Sequence, residues 1–383
     1  MVPEEFQDGF PGQLVSIPGG VAFVPALLPP RIDSSWELSA IVESAVRSLS
    51  RLDGQASLIR NQTLLIRPLL TREAVESARL EGTHTHIEGV LAQRAGGAPR
   101  DAAEDLNNRE VLNYLTASSH GEEWLSDSRP FNLHLVRSLH AELLHDTRGA
   151  NKRPGEFRPQ QVLIGNRNDK PCDARFVPPP PEHVQPALED LFRFVDSPEP
   201  YPPLVAAGIV HYQFETIHPF EDGNGRLGRL LIPLHLMWTE SIEHPLIYLS
   251  PFFESRRDEY LQLLKRVSTH GEWKEWLIFF LRAVRAQADD ARKRVQRILE
   301  LDQDYHARVR QSSRSKVPLV AVDFVMDRVV TTVPQLAAYA NCDYRTAKSA
   351  LEALARLGIV QTRSKSFPQT WWAHEFLEQV YEA

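Results

Sequence analysis

The chain has 383 residues, a net charge of −7, and hydrophobic and charged fractions of 42% and 24%. This is an ordinary globular balance, large enough for two or three domains without disulfide or metal staples. The acidic balance argues against a protein that binds nucleic acid or membranes through its overall charge, so any such contact has to come from a local patch.

The N-terminal stretch MVPEEFQDGF is acidic where a signal peptide is basic. The apolar run Leu14–Pro30 is broken by Pro18, Gly19, Gly20, Pro25 and Pro29. It does not cross a bilayer as a helix and reads as an extended arm lying on the core. Helical periodicity follows over 34–67, where Leu38, Ile41, Val42, Ala45, Val46 and Leu49 recur at three- to four-residue spacing. Further amphipathic patterns run over Thr71–Leu80, with Gly82 as a C-cap, and over 101–118 and 131–145. Residues 151–181 differ. Lys152–Gly155 is turn-like, and Gln160–Gly165 and Ala174–Val177 read as short strands around the turn Asn166–Lys170. Pro178–Pro181 closes this hairpin. The two cysteines, Cys172 and Cys342, stand far apart and outside any C-x-x-C pair, which fits a reducing cytoplasm.

Helices resume over 182–196, 202–217, 225–239 and 255–269, and a long one starts at Trp273 and ends near Arg310. The polar, basic segment Arg308–Lys316 reads as a linker. Beyond it, Thr332–Ala340 and Tyr344–Leu357 form two short helices joined by Asn341, Cys342 and Asp343. Ile359–Arg363 and Thr370–Ala373 read as strands around Ser364–Gln369, completing a helix-turn-helix with a wing. The expected class is therefore mainly α, with one small β-hairpin and a C-terminal winged helix-turn-helix. The expected division is 1–120, 121–310 and 311–383.

The stretch His218–Arg229, HPFEDGNGRLGR, carries the chemistry. Gly223 and Gly225 flank Asn224 at the start of a helix, so backbone N–H groups converge where the helix dipole is positive, an anion hole suited to phosphate. Arg226 and Arg229 stand three apart and can clamp phosphate oxygens bidentately. Asp222 offers a hard oxygen for Mg²⁺, and His218 titrates near neutrality, as a general base must. Phe220 reads as a packing anchor. Gly223, Gly225 and Gly228 also satisfy G-x-G-x-x-G, but that fingerprint needs a preceding buried strand, and HYQFETIHPF is helical in pattern. Glu215–His218 also matches E-x-x-H, but a di-iron bundle needs a second such helix facing it plus two further glutamates.

HPFEDGNGRLGR resembles the motif of the Fic family at every specified position. PGEFR at 154–158 and the following Gln161–Gly165 resemble that family's target-docking flap. The resemblance implies a helical core with this one hairpin and transfer of AMP from ATP to a Ser, Thr or Tyr hydroxyl of a protein, with Mg²⁺. It implies that His218 deprotonates the hydroxyl, Asp222 holds the metal, and Gly223, Asn224 and Gly225 bind the inner phosphates. Arg226 and Arg229 would hold the outer ones, Arg229 the γ-phosphate. Ile164 would pack on the adenine. Glu259-Tyr260 resembles a Tyr-Tyr pair lining the adenine pocket; Tyr260 fits, while Glu259 departs from the aromatic and either bonds the adenine amino group or faces solvent. A target protein would dock on residues 158–177 by strand addition.

Ser77–Gly82 resembles the family's inhibitory motif, with Glu81 pairing with Arg229 and taking the partner the γ-phosphate needs. Self-modification and a homodimer are further expectations from the resemblance. Arg345, Lys348, Arg356, Arg363 and Lys365 give residues 316–383 a modest basic face, consistent with DNA contact or with docking of a protein. Trp371, Trp372 and Phe376 read as core. Reversal of AMP transfer, transfer of another nucleotide or a phosphate, and nucleotide sensing by a DNA-binding regulator are the rival readings.

Overall fold

The computed structural model describes residues 1–56, 62–166, 169–313, 315–363 and 369–382. The N-terminal arm is not merely extended: Gly12–Ile17 (β1) and Gly20–Pro25 (β2) pair antiparallel, with Ile17 opposite Gly20. The same Pro and Gly residues that forbid a helix make the tight turn, where Gly19 takes φ +85°. Phe23 N donates to Val177 O at 2.9 Å, and the Met1 ammonium donates to Pro171 O and Cys172 O. Phe6, Phe10, Phe23 and Phe176 cluster beneath, so arm and flap share a small core of their own.

The expected flap hairpin reduces to one antiparallel bridge, Ile164 with Phe176. Proline is the physical reason. Pro159, Pro171 and Pro178–Pro181 have no N–H to give a ladder, and the segment borrows partners from the arm instead. Part of the predicted Asn166–Lys170 turn, residues 167 and 168, lies outside the described residues.

The core is helical. Its helices are α1 (Trp36–Ala56), α2 (Thr63–Leu80), α3 (Ile87–Arg94), α4 (Ala102–Ser126), α5 (Leu133–Leu143), α6 (Pro181–Asp196), α7 (Pro203–Ile217), α8 (Asn224–Trp238), α9 (Ser250–Ser255), α10 (Arg257–His270) and α11 (Trp273–Ser312). The predicted helix 34–67 comes as α1 and the start of α2, and residues 57–61 lie outside the described ones. Helix α3, too short and too weakly amphipathic for periodicity to find, was not expected. Starts follow local chemistry: Asp101 and Asn132 cap α4 and α5 through their side chains, and proline opens α6 and α7. Helices α7 and α8 are buried along nearly their whole length and form the centre of the fold. Gly208 lets α11 approach α7 closely, since a Cβ there would lie 2.9 Å from Leu277 Cδ2. Trp276 Nε1 then donates to Gly208 O at 2.9 Å.

The linker expected at Arg308–Lys316 is helix as far as Ser312. Val309 is fully buried there, so the apolar stripe of α11 outlasts its charged appearance. The chain continues as α12 (Val317–Arg328), β3 (Val330–Thr331), α13 (Val333–Tyr339), α14 (Tyr344–Arg356), β4 (Gln361–Arg363), β5 (Thr370–Trp372) and α15 (His374–Leu377). The sheet order is β3-β5-β4, all antiparallel. Residues 364–368, and with them Lys365, lie outside the described ones. Trp371, Trp372 and Phe376 are buried, as expected. This C-terminal unit shares one continuous hydrophobic core with the helices before it. The divisions expected at 120/121 and 310/311 fall inside α4 and α11. No described helix is long and apolar enough to cross a membrane.

One core residue is costly. His235 on α8 is 1% exposed and neither ring nitrogen has a partner. Burial pushes its pKa down to about 4, so it is neutral when folded and takes up a proton on unfolding below its ordinary value of 6.5. Folded stability is thus lost as pH falls from 6.5 toward 4. His235→Leu is expected to raise the unfolding free energy by about 1–2 kcal/mol at pH 7 and by about 2 kcal/mol more at pH 5, measured by urea titration.

Candidate active site

Helix α7 ends because His218 turns left-handed (φ 50°, ψ 60°) and Pro219 follows without an N–H to continue the ladder. Helix α8 begins after Gly223, also left-handed at φ 78°. Between them the loop is held by its own residues. Asn224 Oδ1 accepts from Phe220 N and Asn224 Nδ2 donates to Phe220 O, both at 2.9 Å. Phe220, fully buried, stacks on His140 with centroids 3.6 Å apart. His140 Nδ1 accepts from Gly155 N at 2.8 Å, so its Nε2 donates to Asp222 O at 2.9 Å. Arg158, from PGEFR, spends its guanidinium on the carbonyls of Ile217, His218, Gln160 and Pro179, while its N–H donates to Pro219 O. Those of Ile217 and His218 are carbonyls that the end of α7 leaves unpaired.

A cleft of about 640 Å³ opens beside this loop, lined by Glu81, Ile164, His218, Gly225, Arg229 and Tyr260 among others. His218 Nδ1 lies 3.3 Å from Glu215 O. A carbonyl only accepts, so Nδ1 carries the proton and Nε2 keeps its lone pair. Burial and then Arg158 push the imidazole down to about 4, leaving it neutral at pH 7.

Arg229 is 3% exposed. Its Nε donates to Ser77 Oγ at 3.0 Å, and its Nη2 donates to Ser77 O at 2.9 Å and to Glu81 Oε1 at 2.7 Å. Burial pushes the Glu81 carboxyl up, but the charge and hydrogen bond of Arg229, joined by Arg226 and His218, together hold it below the usual range. Glu81 Oε1 lies 2.1 Å from where a Cβ on Gly225 would stand, so the carboxylate sits on the head of α8. Gly82 ends the segment left-handed at φ +82°. Deeper in the cleft, Glu215 has a buried, unpartnered Oε1, and burial raises its carboxyl to about 7.

Arg226 is also buried, with Glu110 Oε2 at 3.3 Å from Nη1 and Asp222 Oδ1 at 3.6 Å from Nη2. Its Nε and Nη1 have no hydrogen-bond partner. Asp222 is half-exposed, accepts from Gly223 N at 2.6 Å, and is not among the cleft-lining residues. The one three-residue group of potential metal ligands among the described residues is Asp302, His306 and Asp323, between α11 and α12, well outside this loop.

Tyr260 is buried, stacked on Phe253 at 4.5 Å, and its hydroxyl donates to His211 Nε2 at 2.8 Å. Glu259 does not join it: one residue earlier on α10, it faces solvent and does not line the cleft. Of its two readings, the one beside the base is corrected by helical phase, since neighbours on a helix point about 100° apart. Sequence reasoning missed His140 and Glu110, which carry no motif, and the anchoring role of Arg158, for which PGEFR was the available signal.

Residues 40–123 match the model of the Fic/DOC family N-terminal region and residues 130–236 that of the Fic/DOC family. The stretch 40–236 thus carries a Fic domain with its N-terminal region. Over 85 residues the chain is 38% identical to protein adenylyltransferase fic-1 of Caenorhabditis elegans, a match covering 22% of this chain and 15% of that protein. Over 137 residues it is 30% identical to protein adenylyltransferase Fic of Nematostella vectensis, covering 35% and 28%. It thus spans less than a third of the length of these curated relatives. In fold it is similar to a Fic family protein from Desulfovibrio desulfuricans G20, with TM-score 0.57 and 19% identity over 90% of this chain and 98% of that one.

Asn224→Ala would strand the Phe220 N–H and C=O in a buried loop. It is expected to cost on the order of 3 kcal/mol of unfolding free energy, read by urea titration.

Proposed function

We propose that the protein transfers AMP from ATP to a Ser, Thr or Tyr hydroxyl of a target protein or of itself, and that Glu81 holds it in a resting state. The observation that carries the reading is the Glu81–Arg229 pair seated on Gly225 at the head of α8, where an anion belongs. The names of the curated relatives support the chemistry.

The residues suit a nucleoside triphosphate. Arg226 has buried donors without partners, and the surface over Gly225 is a cradle that only glycine leaves open. Arg226, Arg229 and the first N–H groups of α8 would hold the phosphates. Asn224 would contribute through its backbone and by fixing the loop, since its side chain is occupied by Phe220. Ile164 and Tyr260, elsewhere on the cleft wall, would flank the base. Asp222 is the carboxylate that would hold Mg²⁺, whose charge would offset that of the phosphates; one carboxylate plus phosphate oxygens is a common Mg²⁺ donor set. His218 Nε2 takes the proton of the target hydroxyl. The hydroxyl oxygen bonds to the α-phosphorus as the bond to the β-phosphate oxygen breaks, and pyrophosphate leaves. The flap around Ile164 would receive the target chain, although its single bridge offers a shorter edge than a hairpin.

A second observation concerns the C-terminal unit, which we read as a winged helix. Arg345 and Arg356 line a cleft of about 490 Å³ with Ser312, Ser313, Ser315, Thr346 and Ser349, groups that suit a phosphate backbone. A duplex-DNA mobility shift that is lost in Arg345→Ala/Arg356→Ala is the expected result. No shift at low salt rejects DNA in favour of a protein partner.

Glu81→Gly is expected to raise Mg²⁺-ATP-dependent self-labelling about tenfold or more, since the lost contact is a charged hydrogen bond, with intact mass giving the adduct as one AMP. Labelling no stronger than wild type removes the brake, and an adduct of different mass favours a rival transfer. His218→Ala in that background is expected to abolish labelling. With the imidazole held at about 4, the Glu81→Gly rate is expected to persist on acidification until the pH approaches that value.

A further inference from the structure

Glu110 lies on α4, outside every motif singled out in the sequence. It is 4% exposed and its carboxylate is engaged on every side. Oε1 accepts from Arg148 Nε at 2.9 Å, and Oε2 accepts from Thr83 Oγ1 at 2.8 Å. Arg148 Nη2 donates to Thr83 Oγ1 at 2.6 Å, closing the ring. The same Oε2 faces Arg226 Nη1 at 3.3 Å, without hydrogen-bond geometry. Arg226 is thus drawn by charge from one side by Glu110 and from the other by Asp222, while its Nε and Nη1 make no hydrogen bond.

We propose that Glu110 is a positioning residue for the phosphate grip: it holds Arg226 with donors open and keeps it from collapsing onto Asp222. The proposal rests on the adenylyl-transfer reading above. Each motif arginine answers to one carboxylate from the N-terminal helices, Arg229 to Glu81 and Arg226 to Glu110. The two carboxylates differ in what they can do. The Glu81 side chain is 40% exposed at the cleft and can swing into water. Glu110 cannot, because leaving would take the acceptor from buried Thr83 and leave buried Arg226 with Asp222 as its remaining counter-charge. One is a removable stopper and the other a fixed strut. Thr83 ties the strut to the turn that carries Glu81.

If Glu110 were lost, Arg226 would have Asp222 as its remaining counter-charge. Phosphate clamp and metal carboxylate would then neutralise each other. The experiment uses the full chain carrying Glu81→Gly, so that the brake is absent, and compares it with the same chain also carrying Glu110→Gln. Affinities for Mg²⁺-ATP and for AMP are read by calorimetry, with thermal unfolding as the check on folding. The expected result is a tenfold or greater loss of ATP affinity with AMP affinity within twofold, because AMP lacks the outer phosphates Arg226 addresses. Glu110→Gln is expected to have no further effect on ATP affinity in an Arg226→Gln background. Glu110→Asp, which keeps the charge, is expected to lose less and covers the case in which the glutamine variant does not fold. Equal loss for ATP and AMP, no change in either, or tighter ATP binding overturns the proposal. A Glu81→Gly protein that binds ATP but labels nothing overturns adenylyl transfer instead and leaves the binding comparison intact.

Discussion

The structure turns on the ion pair between Glu81 and Arg229, made at the head of a buried helix. Arg229 is too deeply buried to go without a counter-charge, so some anion has to sit at the start of α8. In this structure that anion is the protein's own carboxylate, brought by the end of α2. Under the proposed function it is exchanged for a phosphate, and the burial that makes Arg229 a good phosphate ligand is also what makes it demand Glu81. Grip and brake are then one electrostatic requirement met by two alternative anions.

The loop around that pair is held by groups that do not face the cleft. Asn224 closes it on Phe220, His140 on Asp222, and Arg158 on the end of α7. Each satisfies backbone groups that a loop between two buried helices would otherwise leave unpaired. The cleft residues need not support the loop, because these others have absorbed its hydrogen-bonding needs. His218 benefits most: its Nδ1 is engaged by a backbone carbonyl, which leaves one defined nitrogen as the acceptor.

The turn bearing Glu81 is also bracketed by the C-terminal unit. Before it, Arg67 on α2 pairs with Asp327 on α12; after it, Glu88 on α3 pairs with Arg363 on β4 at 2.8 Å. Arg294 and Arg297 on α11 donate to the carbonyls of Val380 and Gln379, fixing the end of the chain on the same helix. What looked like a tethered module is packed into the body of the protein because α11 never stops being amphipathic.

The glycine-rich turn into α8 at His218–Arg229 was legible in the amino-acid order, because it is a short contiguous stretch whose glycines, charges and helix position define a local geometry; Ser77–Gly82 stood out only by its resemblance to a family motif. Most helices were legible too, since periodicity at three to four residues survives any tertiary arrangement. Tertiary structure alone decided the rest. Arg226 meets Glu110 from a distant helix, and α10 turns Glu259 outward while it buries Tyr260. The arm gains a ladder that the proline-rich flap cannot make, and the supposed linker is helical as far as Ser312. In each case the outcome depended on which side chain or strand edge another part of the chain brought near, and local patterns carry no record of that.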